Sequence, residues 1–390
     1  MKWAWWLFGV PLALFWLRSV IDAAFGMRTL QDVTESAWDY QPQSPKRISI
    51  VVPARNEQEH LERALTALLD LDYPDYEVIA VDDRSSDQTG AIMERLAATH
   101  ANGARLRVVH VTDLPEGWLG KPHAMWTAAR QATGEWLLFT DADIHFRSDA
   151  VRRAFNYAEK NSVDHLVIFP THTDWSFSKK VMLAGFNILF MFGHRPWKTA
   201  DPNSRDHIGV GAFNMIRREV YEKVGTFQAL RLEIIEDMRL GKLVKDAGYK
   251  QHNVLGPDLL QLNWGDHALD IVHNLTKNSF PLMHFSVPRT VGALSLLLGL
   301  NLLPFIGMLV APGWAKVPYA VALFCVFCMY VGMSWYAPIS PLFVILHPVA
   351  SLLLAYTMMR SMFHALHNDG IIWRGTRYPL EQLRSGLVKG

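Results

Sequence analysis

Two kinds of apolar pattern divide this chain. Ile48–Pro53 (ISIVVP) and Glu77–Val81 (EVIAV) are short runs rich in β-branched residues, and Arg105–Val109 and Trp136–Thr140 (WLLFT) continue the series. Between the first two runs, Asn56–Leu71 sets Leu61, Ala64, Leu65 and Leu68 at a helical period. Thr89–Ala98 and Ala124–Gln131 read as the next helices. Strand–helix alternation predicts an α/β fold, a mostly parallel sheet with helices on both faces. Ligands of such sheets bind beyond the carboxyl ends of the strands. Neither GxGxxG nor GxxxxGK[ST] follows the first run, so a dinucleotide site and a P-loop are not indicated.

The second pattern is continuous. Thr290–Ala311, Val317–Tyr336 and Pro341–Met359 hold no Asp, Glu, Lys or Arg, and each is about long enough for a ~30 Å hydrocarbon layer. The linkers Pro312–Lys316 and Ala337–Ser340 are too short to fold, and His347–Pro348 interrupts the third segment, predicting a kink or re-entry. Trp3–Leu17 is also apolar and rich in Trp, and reads as an uncleaved anchor or an interfacial helix rather than a signal peptide. Val181–Gly193, flanked by Lys179-Lys180 and His194-Arg195, is too short to span; it fits an interfacial helix or a buried core helix. The chain divides at this level into a membrane anchor or interfacial helix (1–28), an α/β domain (46–285), a transmembrane bundle (290–359) and a basic tail (360–390).

Composition narrows the class. Of 390 residues 50% are hydrophobic and 19% charged, which excludes fibrous, disordered and disulfide-framework classes. Lys plus Arg (38) and Asp plus Glu (37) balance to +1, which argues against a nucleic-acid partner. The two cysteines, Cys325 and Cys328, lie in the most apolar stretch and read as core or lipid-facing filler, since a zinc ribbon needs four ligands.

Three acidic clusters follow apolar elements. Asp82-Asp83 ends the EVIAV strand; there a carboxylate can accept hydrogen bonds from a base or ribose, while Ser86 or Asp87 can cap the following helix. Asp141-Ala142-Asp143 ends WLLFT, where two carboxylates converge as a hard divalent cation requires, or form a solvated turn. Glu236-Asp237 opens a helical pattern, Ile234, Ile235, Met238, Leu240 and Leu243, in which a first-turn acid is also favoured by the helix dipole.

The ordered set VVPARNE (Val51–Glu57), VDDRSSDQT (Val81–Thr89), GWLGKPHAM (Gly117–Met125), TDADI (Thr140–Ile144), GVGAFNMIRREVYEKVGTF (Gly209–Phe227) and IEDMRLGKLVKDAGYK (Ile235–Lys250) resembles glycosyltransferase family 2 over about residues 48–285. The tail, with WRGTRY (Trp373–Tyr378), is similar to the branch that glycosylates carotenoid- and hopanoid-type lipids. The resemblance implies an inverting enzyme of the Rossmann-like GT-A fold, with transmembrane helices behind it. It implies that Pro53, Ala54, Arg55 and Glu57 line the nucleotide pocket, that Asp83 binds base or ribose, and that Lys121 lies near the donor. Asp141 would contact the sugar nucleotide, Asp143 would hold Mg2+ or Mn2+, and Asp237 would be the general base.

Those roles make chemical sense. A divalent cation stabilises the charge developing on a leaving diphosphate. A carboxylate on the opposite side takes the acceptor's proton as its oxygen attacks the anomeric carbon, so one displacement inverts the stereochemistry. The expected function is therefore transfer of a single sugar from a nucleotide sugar, by preference a UDP-sugar, to a membrane lipid. One departure stands out: the QxxRW-type motif of processive synthases is missing from Asp270–Phe280, where His273 and Lys277 are the candidates for contacting a diphosphate. The alternatives are a polyprenyl-phosphate sugar synthase, a processive polysaccharide synthase, and a membrane scaffold with a dead domain; four separated carboxylates argue against the last.

Basic residues Arg18, Arg28, Lys46 and Arg47 put the catalytic domain on the cytoplasmic side of the plasma membrane, and Arg360, Arg374, Arg377, Arg384 and Lys389 put the tail there too. Three full crossings between them are incompatible with that, so one apolar segment, with Pro341–Met359 the suspect, is expected not to cross.

Overall fold

A computed structural model describes residues 2–387, so Lys389 lies outside the described residues. The chain forms two compact units. One is helical: Met1–Thr29, Asp174–Trp197 and Trp264–Trp373. The other is the α/β unit: Leu30–Thr173, Lys198–Asn263 and Arg374–Gly390. The segment expected as one catalytic domain, 46–285, is thus divided, because 174–197 and 264–285 pack among the apolar helices, while the tail from Arg374 onward belongs to the α/β unit.

After helix α1 (Lys2–Gly26), the chain lays down β1 (Ile48–Ala54), α2 (Leu61–Leu69), β2 (Tyr76–Asp83), α3 (Thr89–Thr99), β3 (Leu106–Val111), α4 (Gly120–Ala129), β4 (Trp136–Phe139), β5 (His145–Phe146), α5 (Ala150–Lys160), β6 (His165–Ile168) and β7 (Thr171–His172). It enters the helical unit for α6 (Phe177–His194) and returns for β8 (Asn214–Arg217), α7 (Arg218–Lys223), α8 (Glu236–Asp246), β9 (Gln251–Val254) and β10 (Leu260–Leu262). The helical unit then takes α9 (Ala268–Leu282), α10 (Val287–Val310), α11 (Val317–Met333), α12 (His347–His367) and β11 (Gly370–Trp373), and the chain ends with β12 (Thr376–Pro379) and α13 (Leu380–Ser385).

In the α/β unit, seven strands run in the order β3-β2-β1-β4-β8-β6-β9, parallel except for β8, which is antiparallel to both neighbours. Period-two alternation in β1 explains its two-sided burial. Ile48, Ile50 and Val52 join the layer with Leu61, Leu65 and Phe155, while Val51 joins the layer with Ala124, Ala128 and Leu240. The sheet is covered on both faces, as the continuous apolar runs require. The strand order reverses at β1, which pairs with β2 on one side and β4 on the other. That is the switch point at which open α/β sheets bind ligands. The helix expected over Asn56–Leu71 begins only at Leu61, because Asn56 takes a left-handed φ of 54° and turns the chain at the sheet edge.

Among the described residues, four stretches of the helical unit are long and apolar enough to cross a membrane: Trp3–Thr29, Val287–Val310, Gly313–Met333 and Pro341–His367. Trp16 is fully buried and donates its indole N–H to the Leu300 carbonyl at 3.0 Å. Leu309, Phe324, Leu342 and Ile345 point outward, as lipid-facing positions would. His347 and Pro348 mark a break in the apolar segment: a short 3-10 stretch, Pro341–Leu346, ends there and α12 begins, with Pro348 in its first turn, where the missing N–H costs nothing. In α6 the core reading holds for the first half, where Val181, Met182, Leu183 and Ala184 are buried; Leu189 beyond them is exposed. Cys325 is buried and Cys328 half-buried, both as free thiols.

Candidate active site

The site lies at the carboxyl edge of the sheet. Pro53 and Ala54 are the last residues of β1, in register with Val81 and Asp82 of β2. The loops that follow these strands are tied together: Ser86 N–H donates to Asn56 Oδ1 (2.8 Å), Asn56 N–H to Ser85 Oγ (3.1 Å), and Glu57 N–H to Thr89 Oγ1 (2.8 Å). Asp87 serves the start of α3, accepting the Thr89 N–H at 3.0 Å. Asp83 is buried, and its two oxygens accept Arg84 Nε (2.8 Å) and Nη2 (3.0 Å).

Beyond β4, Lys121 joins two of the acidic clusters. Its ammonium contacts Asp141 Oδ1 at 2.6 Å and Glu236 Oε1 at 2.7 Å. Burial opposes that charge, but the carboxylates of Asp141, Glu236 and Asp237 outweigh it and hold the ammonium well above its ordinary range. Glu236 is buried, and nothing in its sequence context separates its role from that of the neighbouring Asp237.

Asp237 lies in the first turn of α8, as expected. Its Oδ1 accepts the Met238 N–H (2.7 Å) and its Oδ2 the Gly211 N–H (2.9 Å). The helix dipole does not decide its ionisation. Burial and the adjacent Glu236 push the carboxyl up to about 7, against the opposing pull of Lys121.

The glycines of GVG make this arrangement possible. A Cβ on Gly209 would collide with the Asp237 carbonyl, and one on Gly211 with the Asp141 carboxylate. Gly211 spans the two acids, since its carbonyl accepts the Asp141 N–H at 2.9 Å while its own N–H serves Asp237. The glycine spacing was visible in the sequence, but its purpose required knowing which acids flank it.

Asp143 sits among like charges. Burial, then Asp141 and Glu57, raise its carboxyl to about 6. Crowded oxygen donors of this kind suit a hard divalent cation. Among the described residues no three His, Cys, Asp or Glu side chains form a complete metal cage. A cation at Asp143 would therefore complete its shell with phosphate oxygens or water. Glu57 is also raised by burial, against the Arg374 guanidinium paired with it. His273 and Lys277 fall on α9 in the helical unit, where the Lys277 ammonium lies 4.3 Å over the Trp373 ring. They are not among the residues of the α/β site.

The sheet thus carries carboxylates at the end of β2, just after β4 and at the start of α8. Residues 49–225 match the model of glycosyl transferase family 2. It is 29% identical over 199 residues to the 4,4'-diaponeurosporenoate glycosyltransferases of Staphylococcus aureus strains MRSA252 and USA300, covering 50% of this chain and 50% of each relative. The chain thus spans about half the length of the curated relatives it matches. A solved mannosyltransferase from Pyrobaculum calidifontis, in complex with GDP-Man and Mn2+, superposes with a TM-score of 0.51 at 18% identity, over 91% of this chain and 99% of the other. That likeness establishes the GT-A fold.

Proposed function

We propose that the protein is a membrane-bound, inverting glycosyltransferase that moves one sugar from a nucleotide sugar to a lipid acceptor. The observation that carries this reading is the Lys121–Asp141–Glu236–Asp237 cluster at the sheet's switch point. Asp237 has a carboxyl poised near neutrality and aimed by a backbone N–H, as a general base needs. It would take the acceptor's proton as the acceptor oxygen attacks the anomeric carbon. Lys121 keeps Asp141 and Glu236 neutralised beside it. Asp83, with Arg55, Glu57 and the end of β1 at Pro53 and Ala54, would hold the nucleoside half of the donor.

Asp143, with phosphate oxygens of the donor, would hold a Mg2+ or Mn2+ ion, which would supply charge neutralisation for the departing diphosphate. The solved mannosyltransferase with GDP-Man and Mn2+ supports a nucleotide-sugar donor and such a cation. The diaponeurosporenoate relatives and the apolar helices support a lipid acceptor at a plasma membrane.

Tail contacts also bear on topology. Arg374 and Tyr378 bond to residues of the α/β unit, which supports a tail and a catalytic domain on the same side of the membrane; the basic residues beside the apolar stretches favour the cytoplasmic side. An even number of crossings between Phe285 and Arg374 follows, so one of the three apolar stretches there would dip without spanning.

The test is Asp237→Asn, which keeps shape but cannot accept a proton. It is expected to lose on the order of 10²–10⁴-fold in turnover with nucleotide affinity nearly unchanged. Near-normal turnover would reject the base and favour a polyprenyl-phosphate acceptor, whose attacking oxygen carries no proton.

A further inference from the structure

The chain leaves the helical unit at Trp373, and the next few residues return to the sheet's carboxyl edge. Arg374 takes a left-handed φ of 49°, which aims its guanidinium back at the loop after β1. There its Nη1 donates to the Arg55 carbonyl at 3.1 Å, and Nη2 pairs with the Glu57 carboxylate. The Arg55 guanidinium answers by donating to Thr376 Oγ1 at 3.2 Å. Tyr378 is buried and accepts the Gly120 N–H at 3.2 Å. One short segment therefore grips both Arg55 and Glu57 and also the residue that precedes Lys121.

Each grip falls where the backbone needs one. Asn56, between Arg55 and Glu57, is in the left-handed region, a conformation that costs a non-glycine residue energy and is kept only where neighbours impose it. Gly120 opens α4, and its N–H is one of the donors that a helix start leaves without an internal partner. Space there is tight: a Cβ on Gly120 would come within 2.5 Å of Asp83 Oδ2. Tyr378 thus seats the start of α4 against Asp83 and Arg84, and fixes the root of Lys121, whose ammonium reaches Asp141 and Glu236.

We propose that Arg374 and Tyr378 are positioning residues for the nucleotide donor: Arg374 acts through Glu57 to fix the loop after β1, and Tyr378 acts through Gly120 to fix Lys121. This rests on the glycosyltransferase reading above.

The experiment uses the full chain in detergent or nanodiscs, with Mg2+, and titrates UDP and GDP. Arg374→Ala is expected to weaken binding of the nucleotide that wild type prefers by about tenfold, the loss of one charged hydrogen-bonding partner. Arg374→Lys, which keeps the charge opposite Glu57, should recover most of it. The double variant Arg374→Ala/Glu57→Gln should bind no more weakly than Glu57→Gln alone, because Arg374 works through that carboxylate. Tyr378→Phe, which removes a single hydroxyl, should weaken binding by a smaller factor at an unchanged melting temperature. It carries the test on its own if Arg374→Ala does not accumulate as folded protein. Unchanged affinity in Arg374→Ala or in Tyr378→Phe overturns the proposal, and so does an additive double variant, which would mean that Arg374 does not act through Glu57. Wild type that binds neither UDP nor GDP overturns the glycosyltransferase reading as well, and so is distinguished from a failure of the tail alone.

Discussion

Lys121→Met tests the electrostatics of the site through its pH dependence. In the wild type, burial and Glu236 raise the Asp237 carboxyl to about 7, while Lys121 holds it down. A base works only when ionised, so turnover should climb about tenfold per pH unit up to about 7 and then level off. At pH 6 roughly a tenth of the molecules would carry the ionised base. Methionine keeps most of the lysine's length and removes its charge. An opposite charge within ~4–6 Å shifts a carboxyl by about 1–3 units, and at a partly open site the lower end applies. The limb should therefore move up by about one unit, costing about fivefold at pH 7 and little at pH 9. The assay is the pH–rate profile of both proteins from pH 5 to 9 at saturating donor. A limb that moves down, or a wild-type profile flat between pH 5 and 8, would refute the reasoning. A loss that is the same at every pH would mean that Lys121 serves the donor and not the base.

The same raised carboxyl has a consequence for stability. The folded state holds the Asp237 proton more tightly than the unfolded chain, so its contribution is full only below the ordinary aspartate range and is lost as pH rises from there through about 7. Asp237→Asn should therefore melt higher than wild type at pH 8, and equal melting curves would count against the shift. Gly211→Ala should cut turnover at least tenfold, an energy of about 1.4 kcal/mol, since its Cβ would meet the Asp141 carboxylate and displace the N–H that holds Asp237; the readout is turnover alongside nucleotide affinity. Asp143→Ala should abolish transfer while the protein still folds into the membrane, and transfer by wild type that persists in EDTA would sink the metal role. Protease added to sealed right-side-out vesicles should spare both Lys46–Thr173 and the tail; cleavage of one but not the other would contradict the crossing parity.

Local pattern in the sequence was enough for the strands β1, β2 and β4, for the apolar stretches, and for the positions of the acids. Burial on both faces leaves a parallel strand no choice but a continuous apolar run, and an acid directly after such a run must lie at the sheet's edge. The division into units was not legible. Apolar helices from three separate stretches pack together, and only contacts between distant residues assign α6 and α9 to the helical unit. At His347–Pro348 the sequence located the break but not its form, since proline breaks a helix interior but suits its first turn, and spacing alone does not say where the turn begins. At the site, the sequence determined which carboxylates exist. The tertiary structure decided their electrostatics: Glu236 meets Lys121, Gly211 aims Asp237, and burial rather than the helix dipole sets the ionisation of Asp237. Arg374 meets Glu57 across more than three hundred residues of chain. Charge interactions depend on distance and on exposure to water, and neither is a property of sequence spacing.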